Sequence, residues 1–139
     1  ISDMGPEGDT HYDASAPATV YNAARSEYLV VWSGCDTVYG PGDDPELEIY
    51  AQRLDAATGE EVEDNDFRLS DMGPDDDTRY DAFSPAVACN SAGNEYLVVW
   101  HGDDDTPPLV DEEMEIFAQR YQLERDSYEI YLPLVLRDP

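Results

Sequence analysis

The 139-residue chain contains no lysine. Its seven cationic residues are all arginines, set against 33 aspartates and glutamates for a formal net charge of −26. A nucleic-acid binder needs a basic face to displace counterions from phosphates, so that class is excluded. The same shortage removes the basic amphipathic stretch that draws a peripheral protein to anionic lipid, as well as Schiff-base and phosphate-gripping lysines. No stretch approaches the roughly 18 to 20 apolar residues of a membrane span, so no membrane insertion is expected. The opening ISDMGPEGD has neither the basic nor the apolar region of a signal peptide, as a mature or excised segment would read. G-x-S-x-G, H-E-x-x-H, G-x-G-x-x-G and C-x-x-C are missing, and no N-x-S/T sequon occurs.

What is present is a repeat. Ile1 to Ala18, ISDMGPEGDTHYDASAPA, returns as Leu69 to Ala86, LSDMGPDDDTRYDAFSPA, at an offset of 68. EYLVVW at Glu27 to Trp32 returns letter for letter at Glu95 to Trp100. ELEIYAQR at Glu46 to Arg53 returns as EMEIFAQR at Glu113 to Arg120, one residue having been lost between. Three collinear matches make the chain two copies of one unit, with the first repeat at 1–68 and the second at 69–139.

Each copy reads as four short strands: APATVYN and SPAVACN, then EYLVVW, then EIYAQRL and EIFAQRY, then DFRLS and the tail from Tyr128. β-branched and aromatic residues fill these runs, while Gly, Pro, Asn and Asp fill the gaps. The expected fold is all-β: two tandem four-stranded antiparallel meanders. Because side chains alternate, Tyr28, Val30 and Trp32 face one side of the sheet and Leu29 and Val31 the other. Both faces are apolar, as in blades stacked face to face in a β-propeller. Two blades alone leave two outer faces to cover.

The segments PAVACN, NEYLVVW, EIYAQRL and FRLS resemble the blade repeats of secreted bacterial β-propeller-like proteins over nearly the whole chain. That resemblance implies a blade-like fold, an extracellular or cell-surface location and motifs that carry no catalytic residues. The repeat length of 68 exceeds the roughly 40 to 50 residues of common blades, and the excess lies in acidic loops.

In a meander, the loops before the first strand and between the second and third strands share one end of the sheet. Residues 1–13, 36–48, 71–81 and 103–115 hold 21 of the 33 acids, which concentrates negative charge on one rim. Ca²⁺, which takes 6 to 8 oxygen ligands, is the expected cofactor. Its candidate ligands are the repeated spacing Glu7, Asp9, Asp13 and Asp75, Asp77, Asp81, together with Asp103 and Asp105 in the facing loop. A solvated acidic surface suited to high salt is the competing reading, and the clustering favours the cation.

The remaining candidates read as structural. His11 and His101 are not equivalent in the repeat and read as exposed polar residues rather than catalysts; Arg53 and Arg120 read as ion-pairing residues, and Trp32 and Trp100 as core. Cys35 and Cys89 fall at opposite ends of their sheets, which disfavours a disulfide. The expected function is therefore a non-enzymatic extracellular structural protein. Its partners are other copies of itself, met head to tail through repeat faces and the apolar C-terminal strand in a filament or ring. The alternative is a propeller-type binding module for glycan or protein, and a hydrolase using rim carboxylates ranks third.

Overall fold

The computed structural model describes residues 1–9, 11–36, 45–63, 65–74, 77–104, 113–123 and 129–135, the last stretch through its backbone. It is all-β, as expected. Strands β1 (Ala14–Asn22), β2 (Glu27–Gly34), β3 (Glu48–Asp55) and β4 (Phe67–Arg68) form one antiparallel sheet in that order. Strands β5 (Ala82–Asn90), β6 (Glu95–Asp103), β7 (Met114–Leu123) and β8 (Glu129–Val135) form the second in the same order.

The two meanders share their irregularities as well as their ladders. Both first strands carry a bulge, between Ser15 and Ala18 and between Phe83 and Ala86. Each bulge holds a proline, which cannot donate to a ladder and is tolerated at such a break. The preceding residues Ala16 and Ser84 both sit at φ 50°, in the left-handed region that non-glycine residues rarely adopt. The tight turns after β1 and β5 repeat a second such residue, Ser26 at φ 56° and Asn94 at φ 52°. The fourth strands hold one register: Ala51 faces Phe67 and, at the equivalent position, Ala118 faces Leu134. The apolar C-terminal segment is thus the edge strand of the second sheet.

The sheets stack, and one core cluster runs through both. Leu29, Val31, Ile49 and Ala51 of the first sheet join Tyr96, Val98, Trp100, Phe117 and Tyr121 of the second, with Phe67 and Tyr121 rings 5.1 Å apart. Polar contacts pin the stack at its edges. Ser84 N donates to Ser33 Oγ at 3.1 Å, and Asn22 Nδ2 to Asn94 Oδ1 at 3.4 Å. At the acidic end, Leu47 N donates to Asp81 Oδ1 at 2.8 Å and Ala82 N to Leu47 O at 2.7 Å.

The segment leading into each meander folds back over its own sheet. Trp32 Nε1 donates to Met4 Sδ at 3.3 Å, and Trp100 Nε1 to Met72 Sδ at 3.2 Å. Glycine is needed beneath this methionine: a Cβ on Gly34 would lie 2.8 Å from Met4 Cε, and one on Gly102 2.7 Å from Met72 Cε and 2.5 Å from the Asp81 carbonyl. The repeated DMGP therefore has a packing role, with the methionine thioether seated on the tryptophan edge.

Candidate interaction site: two unlike sheet faces

The stack is asymmetric. The first sheet contributes its Leu29 face and the second its Tyr96 face, and these are opposite sides of the same repeat unit. One Tyr-type face, on the first sheet, and one Leu-type face, on the second, therefore point outward. Equivalent residues show the difference directly. Leu29 is fully buried and Leu97 is 43% exposed; Ile49 is fully buried and Ile116 is 56% exposed. On the other face the order reverses, with Tyr96 fully buried and Tyr28 40% exposed beside Tyr21.

The outward Tyr-type face is partly covered. Trp32, Tyr50 and Leu54 are buried there, with the Trp32 indole on Met4, so the expectation of a bare outer sheet holds only for its Tyr21–Tyr28 half. The Leu-type face of the second sheet has Leu97, Met114 and Ile116 in solvent.

Polar groups follow the same asymmetry. Arg53 is buried, its guanidinium bonded to Glu27 through Nε at 3.0 Å and Nη2 at 2.8 Å and paired through Nη1 with Glu63 at 2.8 Å. Burial disfavours the Arg53 charge, but Glu27 and Glu63 outweigh it, so its pKa is raised. Its equivalent Arg120 is exposed and meets Glu95 at 3.6 Å.

A second buried cluster lies where the first sheet ends. Glu48 takes bonds from the Arg68 guanidinium, the Ser70 hydroxyl and Met72 N, the last at 2.9 Å. Burial pushes the Glu48 carboxyl above its ordinary value, against the pull of those three donors. A carboxyl raised on folding stabilises fully below the unfolded value, and that contribution is lost as pH rises through the folded one. Urea unfolding of wild type and Glu48→Gln should therefore diverge, with the difference moving in favour of the variant as pH rises above the ordinary glutamate value. The equivalent Glu115 is also raised, by burial first and then by Glu113, Asp103 and Asp104. Its Oε2 is buried and accepts no hydrogen bond among the described residues.

The acidic candidates divide. Asp9 bonds His11 at 2.6 Å and Asp77 bonds Arg79 at 2.6 Å, and each carboxyl is lowered by that partner. His11 and Arg79 occupy one repeat position, two residues after the aspartate, a pairing that the alignment already contained. Asp81 caps Leu47 N across the stack. Asp13 is exposed, and its carbonyl accepts from Cys35 N at 3.0 Å. Glu7 is exposed and Asp103 half-buried. Asp75 and Asp105 lie outside the described residues. Among the described residues no three acidic, histidine or cysteine side chains converge as a metal site would require. Cys35 and Cys89 are not bridged.

Neither a protein-family model nor a curated protein matches the sequence. The reading of this site therefore rests on the internal comparison of one repeat with the other. Sequence reasoning missed Met4 and Met72 as packing residues and Asp81 as an inter-sheet cap. The signal for the methionines was the conserved offset of Met and Trp in both copies.

Proposed function

We propose that this chain is a non-enzymatic structural protein that assembles head to tail, the outward Leu-type face of one copy taking the outward Tyr-type face of the next. One observation carries the reading: the same two faces, built from equivalent residues, already form the buried interface between the repeats. A heterologous contact of this kind leaves one face of each type at the ends of any open stack, so copies continue into a filament or close into a ring. The C-terminal strand contributes from the edge of the second sheet, where β-strand addition is available to it.

The resemblance to secreted bacterial β-propeller-like blades, the absence of lysine and the charge of −26 favour an extracellular or cell-surface setting. The same charge opposes association of copies, and Ca²⁺ on the acidic loops of the rim relieves it. Glu7 and Asp103, together with Asp75 and Asp105, are the carboxylates of these loops assigned to it. The exposed Tyr21–Tyr28 pair, with ring centroids 5.3 Å apart, is the feature that favours the alternative of a glycan-binding module. Its counterpart Tyr96 is an interface residue, which favours packing.

Sedimentation velocity over a concentration series, with Ca²⁺ at about 1 mM and after chelation, tests the reading. Assembly that grows with concentration and falls on chelation is expected. An equal response to NaCl at matched ionic strength would remove Ca²⁺ from the proposal, and a monomer throughout would remove self-assembly.

A further inference from the structure

We infer that the second copy docks in the register of the internal stack, clamped by its Asp13 carboxylate and Ala14 backbone on Met114 and its Met4 backbone on Glu115 of the first. This rests on the self-assembly reading and assigns the residues that fix its geometry.

Within the chain, three of the bonds between the second unit and the start of the first unit's third strand set the register. Asp81 caps Leu47 N, Ala82 N donates to Leu47 O, and Met72 N donates to Glu48. Moving each group by one repeat places Asp13, Ala14 and Met4 as the incoming set and Met114 and Glu115 as the receiving set. The incoming set is prepared. Asp13 is exposed, Ala14 opens β1 as Ala82 opens β5, and Met4 already sits on Trp32 as Met72 sits on Trp100.

The receiving set shows what is missing. Met114 is 51% exposed, whereas Leu47 is half-buried under the following unit. Glu115 presents a buried carboxylate oxygen that accepts no hydrogen bond among the described residues, at the position where Glu48 receives Met72 N. An unpaired buried acceptor is costly, and a backbone N–H from a docked copy satisfies it. The same displacement sets the Tyr28 face of the incoming copy against the face of Leu97 and Ile116, as the Tyr96 face joins Leu29 and Ile49 in one core.

The test uses the full chain with four changes. Asp13→Ala and Glu115→Ala should each weaken self-association about tenfold or more, the loss expected of one hydrogen bond to a charged group, and leave the near-ultraviolet circular dichroism unchanged. Ala14→Cys combined with Met114→Cys should give a ladder of covalent oligomers on oxidation. The parent chain, carrying Cys35 and Cys89 alone, is oxidised in parallel, and cysteines at Leu47 and Ala82 give the bridge within one chain that calibrates the geometry. Leu97→Glu tests the face alone. If Leu97→Glu abolishes assembly while Asp13→Ala and Glu115→Ala leave it intact and no ladder forms, the register is wrong and the face reading stands. If the wild type never associates, both fall.

Discussion

Leu29→Ala should lower the unfolding free energy by about 2 to 5 kcal/mol, while Leu97→Ala, the same substitution one repeat later, should change it by roughly 0.5 kcal/mol or less. The two leucines share a strand sequence, EYLVVW, and a ladder position: Leu29 faces Arg53 and Leu97 faces Arg120. Propensity and local packing within the sheet are therefore matched. What differs is the sheet stacked on top, which takes Leu29 to zero exposure and leaves Leu97 at 43%. The loss at Leu29 combines transfer of the side chain with the cavity left between two sheets that cannot fully collapse. Urea melts of dilute protein measure both. Equal losses at the two positions would mean that Leu97 is buried in solution, either by a second copy already present or by a different packing of the sheets.

The second large effect is at the arginines. Arg53→Ala strips Glu27, itself buried, of a two-point guanidinium and leaves it only the 3.3 Å contact with Arg25; breaking a buried pair costs about 3 to 5 kcal/mol, and the Arg25 contact sets the expected loss at the lower figure. Arg120→Ala removes a 3.6 Å pair on an open face, and such pairs are worth about 1 kcal/mol or less. The destabilisation by Arg53→Ala should shrink when Glu27→Gln is made in the same chain, because the buried charge that lost its principal partner goes with it. Thermal melts of the single and double variants at neutral pH report this coupling; additive losses would place the energy in packing of the arginine stem rather than in its charge.

Most of the fold was legible in the sequence. The offset of 68 and the alternation in EYLVVW set the strand count, the meander order and two apolar faces per sheet, and all of these appear in the structure. The sequence could not say which face meets which, because Leu29 and Leu97 are the same letter in the same motif and differ only in what lies above them. It also could not tell what an aspartate was for. Asp81 capping a backbone N–H, Asp77 holding Arg79 and a carboxylate waiting for a cation have one signature in a chain with 33 acids. The ion pairing of Arg53 was read from its type in so acidic a chain and is found, but its burial and the Glu48 cluster were not visible, since the repeat preserves Glu and Arg in both copies and encloses Arg53 in one.

The methionine seated on each tryptophan makes the chain unequal toward oxidants. Met72 is 6% exposed beneath the stack, Met4 is half-buried on the outer sheet, and Met114 stands in solvent. Conversion of a thioether to its sulfoxide adds a polar, chiral oxygen where an apolar contact was, and accessibility sets the order in which sulfurs react. Peroxide thus reaches Met114 first and Met4 next, the two methionines placed at the proposed contact between copies, and reaches Met72 last. In the assembly proposed above, mild oxidation would uncouple one copy from the next while each remained folded, and methionine sulfoxide reduction would restore the contact.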